Sequence, residues 1–248
     1  MNSRLIIPLD YPDLPTALKI ADQLSEIVDW FKIGKELFTA VGPISVQALR
    51  ERRKLVFLDL KFHDIPNTVA GAVASATRLG ASIINVHAGG GLEMMQAANQ
   101  SAIDQAGKLG ISKPKLLAVT VLTSIDQSAF VRNFDSRRSV ANQVVHLSQL
   151  AQEAGLDGVV ASPLEIQKIR KACGNDFWIV TPGVRPSKSV LSDQKRVMTP
   201  AQAVDAGANQ LVVGRPITQA DNPLQAAHQI LADMASEKNS ASKTNRTA

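Results

Sequence analysis

Residues 57–68 read FLDLKFHDIPNT, and they continue an apolar run that begins at Leu55. Within six residues the chain passes from apolar side chains to Asp59, Lys61 and Asp64. Short, nearly continuous apolar runs are typical of parallel β-strands that are covered on both faces. Burying carboxylate and ammonium groups is costly unless they are paired. The stretch therefore predicts a buried strand whose C-terminal end opens onto a site that uses charge.

Seven further apolar runs resemble this one, and patterns of helical spacing fill the gaps between them. Eight repeated β-then-α units in a chain of 248 residues predict a single-domain α/β fold, the (β/α)8 TIM barrel. A doubly wound open sheet is the alternative, but the even spacing of the units favours closure. The predicted strands are residues 4–10, 29–34, 55–61, 82–88, 116–122, 158–162, 178–184 and 210–215.

Helix ends and the domain limits can also be predicted from the sequence. Asp13 is a plausible N-cap for the first helix, a second helix starts at Pro66 and stops at Gly80, and the last begins near Pro223. We expect the catalytic domain to span residues 1–236. Residues 237–248 are rich in Ser, Lys and Asn, so we expect a disordered polar tail there.

Composition and charge limit the possible locations and partners. The chain is 45% hydrophobic and has no apolar run of the roughly 20 residues that span a membrane. No signal peptide is evident, and one cysteine, Cys173, fits a reducing cytoplasm. The net charge of +5 raises the possibility of nucleic-acid binding. The densest basic cluster, residues 50–54, lacks interleaved aromatic residues and suits a helix C-terminus, so we expect no nucleic-acid or membrane partner.

Strand alternation predicts where the charges at the strand ends point. Phe57, Asp59 and Lys61 share one face of the third strand, because side chains alternate along a strand. Asp10 and Lys32 occupy corresponding positions on the first two strands. Four charges around one barrel mouth, with Asp64 following, are better explained as a site than as structural ion pairs, since buried pairs stabilise weakly.

The end of the eighth strand predicts a phosphate site. Gly214 would let the backbone approach an anion, and Arg215 supplies a fork of donors, in the region where TIM barrels often bind phosphate. The polar stretch 185–200 is interpreted as a lid over this end. His87 is interpreted as a hydrogen-bonded residue at the barrel top, His63 is given no catalytic role, and no zinc-ligand spacing is present.

These motifs together resemble the orotidine 5′-phosphate decarboxylase family, in its bacterial form. The resemblance rests on FLDLKFHDIPNT and extends in order through KIGKELFTAVGP, NVHAGGG, VLTS, TPGVRP, DQKRVMTP and GANQLVVGRPIT. It spans roughly residues 5–234, with Pro8 as a departure where the family often has a small residue. It implies a cofactor-free and metal-free decarboxylation of orotidine 5′-phosphate to UMP and CO2, the last step of de novo pyrimidine nucleotide synthesis.

The resemblance also implies a role for each matching residue. Lys61 corresponds to the proton donor to C6, with Asp59, Asp64 and Lys32 as the rest of the catalytic array. The enzyme is expected to be a homodimer in which Asp64 and Thr68 enter the partner subunit's site. The implied substrate ligands are Asp10 and Lys32 at the ribose, Thr123 and Ser124 at the pyrimidine, and Arg185, Gln194, Gly214 and Arg215 at or near the phosphate.

Two other functions remain open at this stage. Mg²⁺-dependent 3-keto-gulonate-6-phosphate decarboxylases and hexulose-phosphate synthases share the barrel and the Asp-x-Lys-x-x-Asp core. Their metal needs oxygen ligands, whereas Lys32 brings a cation to the same place. A non-catalytic barrel that binds nucleotide phosphates would need Arg215 and the lid, but not the array around Lys61.

Overall fold

The computed structural model describes residues 4–185 and 198–236, in which eight parallel strands close into a barrel in the order β1 to β8. The closing pair joins β8 to β1, with Leu211 opposite Leu5. This arrangement confirms the predicted (β/α)8 barrel. The strands are β1 Leu5–Pro8, β2 Trp30–Ile33, β3 Leu55–Phe62, β4 Ile83–His87, β5 Lys115–Val119, β6 Gly158–Val160, β7 Trp178–Pro182 and β8 Gln210–Val212.

Helices cover the outside of the barrel and connect each strand to the next. Two short 3₁₀ turns, Ala88–Gly90 and Pro163–Glu165, precede the helices that follow β4 and β6. The α-helices are α1 Leu14–Leu24, α2 Lys35–Val41, α3 Ile44–Glu51, α4 Pro66–Leu79, α5 Gly91–Leu109, α6 Gln127–Phe134, α7 Val140–Glu153, α8 Ile166–Cys173, α9 Pro200–Asp205, α10 Arg215–Thr218 and α11 Pro223–Ser236.

The helix ends follow the local sequence signals. The Asp13 side chain accepts a hydrogen bond from Thr16 N at 2.8 Å and caps α1. Helix α4 has Pro66 in its first turn and ends at Gly80, whose φ of 80° lies in the left-handed region that glycine adopts without strain. Helix α11 begins at Pro223 as predicted.

Two apolar layers are separated by the strand alternation. Seven buried side chains, one from each of seven strands, form a cluster in the barrel interior, because alternate residues face inward. Leu55, Val160 and Trp178 pack against this cluster. The other residues of the same strands face outward and pack against the helices in the main core, as Val56 and Leu58 of β3 do. The interior cluster consists of Ile6, Trp30, Phe57, Ile83, Leu117, Val180 and Val212.

The basic cluster after α3 makes internal contacts that explain its charge. Lys54 Nζ donates to the carbonyl of Val28 at 3.1 Å, and Arg50 donates to the carbonyl of Leu79 at 3.3 Å. Arg52 pairs with Asp22 at 2.7 Å. Arg52 also donates to the carbonyl of Ala48 in the last turn of α3 at 3.0 Å, which is the contact that the sequence-based interpretation of a helix C-terminus predicts.

Three expectations from the sequence fall wholly or partly beyond the described residues. The polar tail 237–248 and Gln194 lie outside them, and so does most of the stretch 185–200 interpreted as a lid. Among the residues that are described, none of the helices has both the length and the apolar composition needed to cross a membrane.

Candidate active site

A row of alternating charges crosses the C-terminal ends of the first three strands. Lys32 Nζ lies 3.1 Å from Asp10 Oδ1 and 3.2 Å from Asp59 Oδ2. On the other side of Asp59, Lys61 Nζ lies 2.6 Å from Oδ1. The order around the mouth is therefore Asp10, Lys32, Asp59 and Lys61, which are the four charges that strand alternation assigns to one opening.

The inner members of the row are buried but remain ionised. Burial acts to raise the pKa of Asp59, but the charges of Lys32 and Lys61 and the hydrogen bonds from Lys61 and Asn85 outweigh it, so the pKa lies below its usual value. Burial acts to lower the pKa of Lys32, and the carboxylates of Asp59 and Asp10 reverse that effect and raise it. The charges of Lys32 and Asp59 are thus each stabilised by neighbouring members of the row.

Glycines leave the space that this site needs. A Cβ added to Gly34 would lie 2.8 Å from Asp10 Oδ1 and 2.9 Å from Lys32 Nζ, so any side chain there would push the pair apart. A Cβ added to Gly214 would lie 2.9 Å from Cγ of Pro8. Pairing of β1 with β2 continues past Pro8, because Leu9 N donates to the carbonyl of Lys32 at 2.9 Å. The proline departure therefore leaves Asp10 in place.

Lys61 lies in the row at a point where the backbone of β3 is irregular. Its φ is +54°, in the left-handed region, which costs a non-glycine residue on the order of 1 kcal/mol. The pairing of β3 with β4 shifts register between Leu58 and Phe62, around this residue. The sequence-based expectation that Lys61 lies beside Asp59 is met, and Phe57, Asp59 and Lys61 line one cavity, as strand alternation predicts.

Two cavities meet at the charged row. The larger, of about 430 Å³, is lined by Arg185 and Arg215, the two arginines predicted at the phosphate end. The smaller, of about 260 Å³, is lined by Asp59 and Lys61 and by apolar side chains such as Val119 and Val160. They share three residues: Lys32, Pro182 and Val212. Of the predicted site residues, Asp10, Lys32, Arg185, Gly214 and Arg215 line the larger cavity, and Lys32, Asp59, Lys61, Thr123 and Ser124 line the smaller one.

The larger cavity has the chemistry of an anion site. Gly214 precedes the four-residue helix α10, and Arg215 is its first residue. The sequence had predicted that β8 extends through Arg215, but the strand ends at Val212, because the backbone leaves the extended conformation at Gly214 (φ −98°, ψ −106°) and turns into α10. Arg185 N donates to the carbonyl of Met198 at 3.0 Å. This hydrogen bond connects the last residue before the segment 186–197 to the first residue after it.

Two predicted site residues lie away from these cavities. Asp64 and Thr68 are exposed, as are all residues from His63 to Thr68. Asp64 Oδ1 accepts a hydrogen bond from the adjacent Ile65 N at 2.7 Å, and within residues 4–185 and 198–236 it forms no ion pair. Neither residue lines either of the two cavities of its own chain.

Sequence reasoning missed two polar residues at the site. Asn85 on β4 is fully buried and contacts both Asp59 and Lys61. Its signal was available, because a polar residue at an inward position of the strand IINVH requires a partner. Tyr11 lines the larger cavity and donates to the carbonyl of Thr218 at 3.5 Å. The alternation of the strand could not have predicted Tyr11, because it lies in the loop between β1 and α1.

The two histidines near the site stack on each other. The rings of His63 and His87 are 5.1 Å apart between centroids, with 15° between their planes. His87 Nδ1 accepts a hydrogen bond from Gly89 N at 3.3 Å, as expected for a hydrogen-bonded histidine at the barrel top. Burial, followed by the charges of His63, Lys61 and Lys35, lowers the pKa of His87. A histidine that remains neutral does not add charge next to Lys61.

Comparison with known proteins identifies what this geometry resembles. The family model described as "Orotidine 5'-phosphate decarboxylase / HUMPS family" matches residues 3–230. The curated orotidine 5′-phosphate decarboxylase of Moorella thermoacetica is 52% identical over 94% of this chain and 92% of the relative. That of Trichlorobacter lovleyi is 51% identical over 93% of this chain and 94% of the relative.

A solved structure agrees with these sequence relatives. The crystal structure of orotidine 5′-phosphate decarboxylase from Lactobacillus acidophilus superposes with a TM-score of 0.83 at 37% sequence identity. The superposition covers 94% of this chain and 99% of that one. The likeness therefore extends over the whole barrel.

Proposed function

This chain belongs to the orotidine 5′-phosphate decarboxylase / HUMPS family, and from that membership we infer that it converts orotidine 5′-phosphate to UMP and CO2. This reaction is the last step of pyrimidine nucleotide synthesis. The family description covers two groups of enzymes, and the curated relatives at 52% and 51% identity carry the name of the decarboxylase. The observation that supports the choice within this chain is the row formed by Lys32, Asp59 and Lys61.

Lys32 disfavours the Mg²⁺-dependent alternative. Its ammonium lies 3.1 Å from Asp10 and 3.2 Å from Asp59, so it already neutralises the two carboxylates that a divalent ion would need as oxygen ligands. Its pKa is raised, so the cation persists at neutral pH. A metal ion in the same place would be repelled.

We propose that the substrate extends across both cavities. The phosphate would lie in the larger cavity with Arg215, Arg185 and Gly214, and Gln194 would join them. The ribose would contact Asp10 and Lys32 where the cavities meet. The pyrimidine would lie in the smaller cavity with Thr123 and Ser124 at its edge. This order is supported by the cations at one end and the apolar walls at the other.

In this arrangement the chemistry takes place beside Lys61. The bond between C6 and the substrate carboxylate breaks, CO2 leaves, and the electron pair stays on C6. Lys61 then transfers a proton from Nζ to C6. A fixed ammonium next to the developing negative charge stabilises the transition state more than the ground state, which is how such electrostatic catalysis accelerates a reaction.

Asp59 has two effects in the proposed mechanism. It holds the Lys61 ammonium at 2.6 Å, and its ionised carboxylate faces the region where the substrate carboxylate would lie. Binding energy from the distant phosphate offsets the cost of bringing two carboxylates together. Loss of CO2 removes the repulsion, while the attraction to Lys61 remains.

We also propose a homodimer in which Asp64 and Thr68 complete the partner subunit's site. The support is the exposed segment 63–68, in which Ile65 is 67% exposed although it is a large apolar residue. A two-fold axis would make the exchange reciprocal. We place the enzyme in the cytoplasm, where its single free thiol, Cys173, would stay reduced.

A spectrophotometric assay tests the proposed function. The purified protein is mixed with orotidine 5′-phosphate, and the loss of substrate absorbance and the formation of UMP are followed with and without EDTA. We expect conversion to UMP at the same rate in both samples. Activity that disappears with EDTA and returns with Mg²⁺ would instead support the metal-dependent branch of the family, and no conversion in either sample would refute the proposed activity.

A further inference from the structure

Asn85 connects the two members of the charged row that lie closest to the proposed chemistry. It lies on β4, is 0% exposed, and makes two hydrogen bonds with β3. Its Oδ1 accepts from the main-chain amide of Lys61 at 2.8 Å, and its Nδ2 donates to Asp59 Oδ1 at 2.6 Å. One amide group therefore contacts the backbone of the proposed proton donor and the carboxylate that holds its ammonium.

The backbone at Lys61 needs such support. With φ at +54°, Lys61 adopts a backbone conformation that non-glycine residues rarely adopt, and the ladder between β3 and β4 is irregular between Leu58 and Phe62. The Asn85 side chain supplies the acceptor for the Lys61 amide at this irregular point of the ladder. Strained conformations persist where surrounding contacts hold them, and they cluster at functional sites.

We propose that Asn85 is a positioning residue that fixes the Lys61 ammonium and the Asp59 carboxylate relative to each other. This inference rests on the proposed decarboxylase function. Asn85 acts through Lys61 and Asp59 and does not itself line either cavity. Its effect is geometric, because a proton donor that is displaced by about 1 Å can lose about 100-fold in rate.

The amide group is suited to this double contact in a way that close analogues are not. Asparagine offers an acceptor and a donor on adjacent atoms. An ionised aspartate has the same shape but only acceptors, so it would face the carboxylate of Asp59 without a hydrogen. A protonated aspartate regains one donor and one acceptor. Replacement of Asn85 by aspartate therefore makes the contact dependent on a proton.

The first test separates positioning from folding. Asn85→Ala is compared with Ser148→Ala, which also deletes a fully buried polar group, but on α7 away from the site. We expect Asn85→Ala to lower kcat about 100-fold. Its dissociation constant for UMP, measured by calorimetry, should change no more than about twofold, because UMP lacks the C6 carboxylate and binds through the base, ribose and phosphate. Ser148→Ala should keep kcat, whatever it does to the melting temperature.

The second test uses the pH profile of Asn85→Asp. The charged groups near the new carboxyl are Asp59 and Lys61, which contact position 85, and Lys32, which contacts the other oxygen of Asp59. Burial and the Asp59 carboxylate favour retention of a proton at position 85, against the opposing effect of the Lys61 and Lys32 ammonium groups. We expect kcat of this variant to fall as the pH rises and that proton is lost. The pH profiles of wild type and Asn85→Ala should not show this fall.

The outcomes distinguish this inference from the proposed function. If wild type does not decarboxylate orotidine 5′-phosphate, the proposed function fails before Asn85 is tested. If wild type is active and folded Asn85→Ala keeps its kcat, the positioning role is refuted. The same conclusion follows if Asn85→Asp and Asn85→Ala have pH profiles of the same shape. A parallel loss of kcat and UMP affinity would also refute it, since that pattern indicates general distortion of the site.

Discussion

Asp59 and Lys61, two residues apart on the same face of one strand, form a 2.6 Å ion pair. The pair forms where the strand is irregular, with Lys61 in a left-handed conformation. Asp59 also lies 3.2 Å from Lys32, so a single buried carboxylate holds two ammonium groups at the mouth of the barrel. Loss of one lysine should therefore disturb the chemistry more than the fold, because the other still neutralises Asp59.

Lys61→Ala should abolish turnover while leaving UMP binding and folding largely intact. The variant lacks the proposed proton donor, yet Lys32 still pairs with the buried carboxylate. Steady-state kinetics with orotidine 5′-phosphate and calorimetry with UMP provide the measurements. Lys19→Ala, an exposed lysine on α1, is the matched control and should behave like wild type. Substantial turnover by pure Lys61→Ala would refute the assignment of Lys61.

Arg215→Ala should weaken recognition of the phosphate and not of the base. We expect kcat/KM for orotidine 5′-phosphate to fall by the equivalent of roughly 2 to 5 kcal/mol, because a charge-assisted contact with the phosphate is lost. The kcat/KM for phosphate-free orotidine should barely change. Equal losses with both substrates would show that Arg215 acts on the whole site rather than on the phosphate.

Mixing two inactive variants tests the shared site. Asp64 is exposed and forms no ion pair within the described part of its own chain, whereas Lys61 lies in the row at the barrel mouth. Lys61→Ala and Asp64→Asn chains are combined and allowed to exchange subunits. In a heterodimer with shared sites, one site carries both lesions and the other carries none. Random pairing should therefore restore about a quarter of wild-type sites.

The mixing experiment has a clear opposite outcome. If each site belonged to a single chain, every site in the mixture would carry one lesion. Activity would then stay at the level of the separate variants. Native mass spectrometry verifies that subunits have exchanged, so that a negative result can be attributed to the architecture of the site.

Asp157→Asn should reduce stability in a pH-dependent way. Asp157 accepts hydrogen bonds from Lys113 at 2.7 Å, Lys115 at 3.0 Å and Leu116 N at 2.8 Å. Burial acts to raise the pKa of Asp157, but these partners outweigh it and hold the pKa below its ordinary 3.8. A lowered pKa in the folded state stabilises the protein above the unfolded pKa, and this contribution is lost as the pH falls through the folded value.

The expected loss for Asp157→Asn at pH 7 is about 2 kcal/mol in the free energy of unfolding, the size of a hydrogen bond to a charged group. The difference from wild type should narrow below pH 3.8. Urea unfolding at fixed protein concentration, followed by circular dichroism, measures the free energy of unfolding of the variant and of wild type at each pH. Asp221→Asn, at an exposed position, is the control. A difference that stays constant from pH 7 to pH 3 would contradict the role of the charge.

The fold could be predicted from the sequence because its strongest signals are local. Apolar runs of similar length recur eight times, and proline and glycine mark helix ends such as Pro66 and Gly80. Strand ends were less predictable. The fifth strand was expected to reach Leu122 and ends at Val119, since a strand continues only as far as its neighbours provide hydrogen-bonding partners.

The charged residues of the site could be predicted because carboxylate and ammonium groups are rarely placed on inward strand positions without a role. Asn85 was missed because an uncharged amide attracts less attention, although its two contacts connect Asp59 and Lys61. The left-handed backbone of Lys61 could not be predicted, because no glycine or asparagine marks it. Its main-chain amide donates a hydrogen bond to a residue 24 positions away on another strand, a contact that no local pattern indicates.

The junction of the two cavities offers a route to inhibitors assembled from fragments. Lys32, Pro182 and Val212 line both cavities, of about 430 and 260 Å³, so a linker that passes these residues would connect one cavity to the other. An anionic fragment suits the larger cavity, and a flat heterocycle suits the smaller one. Joining the two fragments makes the second contact intramolecular, and its effective concentration can reach the millimolar range. Compounds built in this way would not need to copy the nucleotide.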